Sequence, residues 1–457
     1  MKERESFGSR LGFLLVSAGC AIGIGNVWRF PYITGKYGGA VFVLFYLFFL
    51  FILGWPVMTM ELAVGRGSKL SAGAGMQKLA GENGKKWSGF RIFSFIGNFI
   101  LMMYYTTVAG WMLSYVFEMA RGTFEGVSMK GAAKIFSEVM DRPGYMIFWM
   151  LIAIVLGFIA VGRGLENGVE KITKAMMIAL FVLMSVLAIR SLFLAGGSEG
   201  LKFYLLPDIN KALDNGIWSV ISAAMGQAFF TLSVGIGSIA IFGSYIDKKH
   251  SLPKESMTII LLDTFVAIMS GLIIFPACFA YNVKPDAGPS LIFVTLPEVF
   301  ERMPAGRIWG TLFFVFMCFA SMSTVIAVFE NIVSMLMDNT GMSRTKSVII
   351  NMIAMIILSL PCPLGFSVLS NIHPLGNGTT IMDFEDFIVS NNMLPIGCIV
   401  FIIFCTTRYG WGLKNFLEEA NTGEGMKMSK KLGWYLKFVL PILVAILIIM
   451  GYLDVFG

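Results

Sequence analysis

The sequence predicts an all-α integral membrane protein of eleven transmembrane helices. They are arranged as two inverted five-helix repeats with discontinuous first and sixth helices. Three observations carry this expectation. Of the 457 residues, 56% are hydrophobic and only 14% charged, whereas soluble domains hold about 25% charged residues. Apolar runs such as "AVFVLFYLFFLFILGWPVM", "MIFWMLIAIVLGFIAV" and "FVLPILVAILIIMGYL" approach the roughly 20 residues that cross the hydrocarbon. The triplet Gly-Ile-Gly also occurs twice, at 23–25 and 235–237, inside two of the apolar segments.

Taken in order, the spans are expected near 11–33, 39–66, 89–121, 144–161, 168–194, 217–245, 253–281, 307–337, 346–361, 380–407 and 433–455. The first ten residues are polar and many apolar segments follow, so no cleaved leader is expected. Residues 1–457 read as one transmembrane domain. Its first repeat covers about 11–194 and its second about 217–407, with an extra helix near 433–455. Five helices per repeat, an odd number, reverse the second set in the membrane. With a cytoplasmic N-terminus, most of the 35 Lys and Arg residues fall inside, including "GRGSKL", "DKKH" and "KMSKK". The C-terminus is then extracytoplasmic and the host a cell membrane. The net charge of +7 reads as attraction to the inner leaflet. There is no basic soluble domain for a nucleic acid.

Chemistry is bounded by what the spans lack. Cys20, Cys278, Cys318, Cys398 and Cys405 fall within spans without a CxxC pair, and read as small apolar side chains. His250 and His373 lie in loops, so neither a His-rich metal site nor an intramembrane histidine relay is expected. No catalytic constellation stands out, which argues against an enzyme.

The two interrupted segments are "AGCAIGIGNVWRFP" and "AFFTLSVGIGSIAIF". Glycine costs about 1 kcal/mol against alanine within a helix. A lone glycine in a span usually serves close helix packing. Two clusters at corresponding places in two halves instead point to a midplane site between inverted repeats. A broken helix frees carbonyls and N–H groups that a dry interior must satisfy. Carbonyl oxygens suit a hard alkali cation, and the N–H groups at a half-helix N-terminus suit a carboxylate. A zwitterion with sodium beside it answers both needs.

The stretches "RLGFLLVSAGCAIGIGNVWRFPY", "YYTTVAGW", "GQAFFTLSVGIG" and "ASMSTVIAVFE" resemble the neurotransmitter:sodium symporter family, in its prokaryotic eleven-helix branch. The resemblance implies a substrate site at Cys20, Ala21, Gly23, Ile24 and Gly25, with Tyr105 meeting the substrate carboxylate. Phe230, Thr231, Ser233 and Ile236 would line it from the sixth helix, Phe230 closing over the substrate. Leu101, Thr324 and Val328 would complete the side-chain pocket. The resemblance also implies two sodium sites. The first takes Ala21, Asn26, Thr231, Asp263 and the substrate carboxylate; the second takes Gly19, Ile22, Ala320, Ser323 and Thr324. Sodium and substrate then raise each other's affinity equally.

Departures from the family pattern are informative. Asp263 stands where asparagine is common, and Ala267 where Ser or Glu is often found. A carboxylate about 5 Å from a cation contributes roughly 3 kcal/mol at an effective dielectric of about 20, so chloride-independent operation is expected. Gly23 occupies the place where monoamine carriers hold an aspartate, so the ligand should bring its own carboxylate. The apolar lining points to a neutral hydrophobic or aromatic L-amino acid. Arg29 is expected at an outer gate with Asp386, and Asp383 second. Arg4, Tyr245 and Asp338 are expected at an inner gate. Gln227 and Glu61 read as supporting groups, Glu61 near the first break. Gly168 is present on the fifth helix, but position 178 is Ile where a proline is usual. The expected activity is sodium-coupled import by alternating access, a monomer sufficing and a dimer left open. A proton-coupled carrier, a channel and a non-transporting amino-acid sensor are the alternatives.

Overall fold

The computed structural model describes residues 4–214, 216–283 and 290–456. Helices dominate and no β-strand occurs among these residues. A single bridge pairs His250 with Glu424 in the loops. Among the described residues, nine helices are long and apolar enough to cross a membrane: Ala40–Ser68, Gly89–Ala120, Pro143–Gly162, Leu165–Leu192, Leu252–Ala280, Gly306–Thr340, Arg344–Leu364, Ile381–Thr406 and Lys430–Leu453. Each lies on one of the expected spans. The pair Arg10–Ala21 and Gly25–Lys36, bent by 56°, is long and apolar enough when taken together and makes a tenth if counted as one span. The expected span at 217–245 is instead two separate helices, Ile217–Leu232 and Ser238–Tyr245, each too short to cross alone.

Both breaks fall on the two glycine clusters, and their backbone explains why. After Ala21 the chain leaves the helix at Ile22, whose ψ of 103° is extended. At the second break Ser233 is left-handed (φ 51°), and Gly235 follows at φ 110°. A side chain at φ 110° would be strained. Gly235 therefore permits a turn that most residues would resist.

Other helices widen rather than break. Wide π-type turns occur at Gly25–Arg29, Leu50–Gly54, Leu291–Thr295, Ile388–Met393 and Tyr435–Val439. Each ends two residues before a proline: Pro31, Pro56, Pro297, Pro395 and Pro441. Proline has no N–H, and its ring crowds the carbonyl four residues back. Lengthening the turn relieves that contact. A sixth wide turn, Leu165–Glu170, has no such proline.

The Gly306–Thr340 helix is the centre of the bundle, 83% of its most apolar window being buried. The Lys430–Leu453 helix is peripheral at 22%. Close backbone approaches hold Ser238–Tyr245, the second half of the second broken segment. A Cβ on Gly65 would lie 1.8 Å from the Ala240 carbonyl oxygen, and one on Gly243 would lie 2.4 Å from that of Leu62. Small residues permit such contacts between helices in lipid. Several short helices that the hydropathy pattern does not signal, among them Ala72–Leu79, Met129–Met140 and Leu413–Ala420, pack between the long ones.

Candidate functional site

The two breaks meet the Gly89–Ala120 and Gly306–Thr340 helices around a cavity of about 20 Å³, room for about one water. Its lining comprises Ala21, Gly23, Gly25, Leu101, Tyr105, Phe230, Ser233, Thr324 and Leu394. Eight of these are expected from sequence. Leu394 is not. Cys20, Ile24, Thr231, Ile236 and Val328 are buried but outside this lining.

At the first break, the Tyr105 hydroxyl accepts from the Ile24 N–H at 3.1 Å, and the Asn26 side-chain oxygen accepts from the Gly23 N–H at 3.1 Å. Gln227 donates to the Gly25 carbonyl at 2.9 Å. A Cβ on Gly23 would lie 2.4 Å from the Tyr105 oxygen and 2.8 Å from Thr324 Oγ1. Two hydroxyls thus converge on this glycine, and a carboxylate-bearing residue does not fit there in this geometry. Tyr105→Phe would remove the hydroxyl expected to meet the substrate carboxylate, a hydrogen bond contributing about 1–3 kcal/mol. Substrate affinity in equilibrium binding should fall roughly 5- to 150-fold with the fold intact. Wild-type affinity in that variant would refute the role of the hydroxyl.

The second break is satisfied differently. The Gly235 N–H donates to Glu61, and the Gly237, Ile239 and Ala240 N–H groups lie against the same carboxyl. Glu61 therefore serves the second break, not the first as the sequence suggested. It holds the anion position at the N-terminus of Ser238–Tyr245. At the first break the Gly23 and Ile24 N–H groups meet only the neutral side chains of Asn26 and Tyr105. Asn98 and Ser94, missed in the sequence, both donate to the Ile236 carbonyl; Ser238 and Asn331 donate to the Asn98 side-chain oxygen.

Two oxygen clusters flank the cavity. In the first, Asp263 is fully buried and accepts from Asn26 at 2.8 Å and from the Thr231 hydroxyl at 3.2 Å. No Lys or Arg pairs with it among the described residues. The Tyr46 hydroxyl, also missed, is buried facing Asp263 and Thr231 without a well-formed hydrogen bond. A buried carboxylate is stable only when its charge is met, and this donor set of hard oxygens fits an alkali cation. In the second cluster, the Thr324 hydroxyl lies 3.1, 3.2 and 3.4 Å from the carbonyls of Gly19, Ile22 and Ala320. Ser323 Oγ lies 3.0 Å from the Ala320 carbonyl. All five residues expected there are assembled.

The gate residues divide. Arg4 pairs with Asp338 at 2.5 Å, donates to Ser244 and lies 5.0 Å from the Tyr245 ring centre. Tyr245 in turn donates to Glu330, which Arg344 holds at 2.6 Å. On the other side, Arg29 forms no ion pair with Asp386 or Asp383, correcting the expectation. Its guanidinium lies over the Phe230 ring, 4.1 Å from the centre. Asp386 accepts from Tyr104 at 3.0 Å and Ser390 at 2.8 Å, while Asp383 closes a capping box with Thr380. Cation–π stacking and local capping have taken the partners that charge alone would have matched.

Position 178 of the fifth helix is Ile. Without the proline, the helix runs continuously from Leu165 to Leu192, the wide turn at its start included. Glu170, at the end of that turn, accepts from the Gly8 N–H at 2.7 Å and the Ser9 hydroxyl at 2.8 Å. A Cβ on Gly12 would lie 1.8 Å from its carboxyl. The first half-helix is thereby fastened to an intact fifth helix.

A bundle with paired broken helices enclosing a small polar-and-apolar pocket and cation-type oxygen clusters defines a membrane transport protein. The family model for the sodium:neurotransmitter symporter family matches residues 4–125 and 128–455, and the chain belongs to that family. It is a sodium-dependent transporter, not an enzyme. Over 459 residues it is 31% identical to YhdH, an uncharacterized sodium-dependent transporter of Bacillus subtilis, covering 100% of this chain and 99% of that one. A sodium-dependent serotonin transporter of Drosophila melanogaster is 25% identical, over 100% of this chain and 78% of its own length. Among solved structures, MhsT in complex with L-phenylalanine has a TM-score of 0.88 at 34% identity, covering 98% of this chain and 100% of that one.

Proposed function

We propose that the protein is a sodium-coupled symporter that imports a neutral hydrophobic or aromatic L-amino acid by alternating access, without chloride. The carrying observation is Asp263: a fully buried carboxylate, unpaired by any basic side chain, beside Asn26 and Thr231. A cation there would complete the charge, and the fixed carboxylate would supply the negative charge that a bound chloride supplies elsewhere. The substrate carboxylate would join this cation and the Tyr105 hydroxyl near the N-terminus of Gly25–Lys36, where the Gly23 and Ile24 N–H groups meet only neutral acceptors. A second sodium would sit among Gly19, Ile22, Ala320, Ser323 and Thr324. The apolar parts of the lining, Leu101, Phe230 and Leu394, favour an uncharged side chain, because desolvating a charge there is costly. The resemblance to MhsT, whose structure holds L-phenylalanine, supports the same class.

The proposed architecture counts 217–245 as one broken span, giving eleven, with the inverted repeats and cytoplasmic N-terminus read from sequence. The monomer is the proposed working unit, with a dimer left open. Uptake of labelled amino acids into proteoliposomes tests the reading. Replacing sodium by choline at fixed pH should abolish uptake, whereas replacing chloride by gluconate should leave it intact. Uptake persisting in choline would favour a proton-driven carrier, and collapse in gluconate would remove the role given to Asp263. Competition should rank tyrosine, tryptophan and leucine above glycine; a preference for glycine would overturn the substrate class.

A further inference from the structure

We propose that Leu394, at the start of the Leu394–Thr406 helix, determines which substrate side chain the pocket admits, and that the second break fixes it in place. The proposal rests on the amino-acid reading above. Leu394 lines the cavity and is 2% exposed, although the sequence pointed only to the gate residues Asp386 and Asp383 on the Ile381–Thr406 span and to none in the pocket lining.

Its position is set by backbone contact. A Cβ on Gly235 would lie 2.1 Å from the Leu394 carbonyl oxygen, and one on Gly397 would lie 1.9 Å from the Gly235 carbonyl oxygen. Positions 394 and 397 share a helix face, so two glycines let the helix press its backbone against the turn. Gly235 is itself tied to Glu61 through its N–H. The neighbouring wall is equally tight: a Cβ on Gly97 would lie 3.0 Å from both Ile236 Cγ2 and Met393 Cε.

The Leu394 backbone thus cannot withdraw without moving the broken segment. Room for a larger side chain must come from that movement or from a smaller residue at 394. An apolar cavity of about 150 Å³ accepts a benzene ring, whereas the space here is about 20 Å³. Side-chain volume at position 394 therefore trades directly against substrate side-chain volume.

The test is sodium-dependent competition binding to the purified full-length protein, read as the ratio of tryptophan to alanine affinity. Leu394→Ala should raise the ratio about tenfold or more and Leu394→Phe should lower it similarly, the scale of one to a few methylenes in an apolar pocket. Leu394→Met, which conserves volume, should keep the wild-type ratio and shows the position in a well-packed protein. Ile402→Ala, on the same helix and fully buried but outside the lining, should keep it too. An unchanged ratio in both the Ala and Phe variants overturns the proposal, as does an equal shift from Ile402→Ala. Should Leu394→Ala not fold, the Phe and Met variants decide. Absence of sodium-dependent amino-acid binding in the wild type would instead overturn the functional reading, a result distinct from an unchanged ratio.

Discussion

Asp263→Asn should weaken apparent sodium affinity roughly 100-fold, the equivalent of the roughly 3 kcal/mol that a carboxylate contributes at about 5 Å and an effective dielectric of about 20. The substitution keeps a side-chain oxygen of the same reach and removes only the charge. It tests electrostatics more than ligand geometry. Burial makes the effect large: Asp263 is fully enclosed, so solvent does not screen it. Asn26 donates to one carboxylate oxygen and Thr231 to the other. Both donors bring dipoles but no net positive charge. The measurement is a sodium titration of amino-acid binding, with chloride or gluconate as the anion. The variant should also become chloride-sensitive, because an anion would then supply the missing charge. An unchanged sodium titration would show that Asp263 does not face the ion.

Gly235→Ala should be the most damaging single change in the second break. The new methyl would lie 2.1 Å from the Leu394 carbonyl oxygen, and its neighbour is backbone, which cannot rotate away. Overpacking costs about 1–3 kcal/mol, and holding a non-glycine residue in a disfavoured backbone region costs about 1–3 kcal/mol more. Gly376→Ala separates the two terms. Gly376 has almost the same φ, 111°, with no atom within 4 Å of the added carbon. Gly235→Ala should lower thermal stability more than Gly376→Ala and reduce substrate binding at least tenfold. Equal effects from the two would mean that backbone strain alone, without the contact to the 394–397 turn, explains the loss.

Much of the architecture is legible along the chain because it follows from local pattern. Apolar runs place the nine long helices, and glycine clusters place both breaks to within a residue or two. The second oxygen cluster and the Arg4–Asp338 pair were also legible. There the resemblance named residues that the fold brings together, at 2.5 Å between Arg4 and Asp338 and 3.1–3.4 Å around Thr324. Prolines could have announced the five wide turns, since each turn ends two residues before one.

What the sequence by itself determined is where the helices run and where they must fail, because both depend on neighbours along the chain. Which groups meet across helices was decided only by the tertiary structure. Glu61 serves the second break rather than the first, Arg29 lies over Phe230 rather than against Asp386, and Tyr46 and Leu394 reach the site unannounced. Each outcome depends on the rotation of one helix against another. That rotation is set by close backbone contacts, such as Gly235 on Gly397, between residues far apart in the chain.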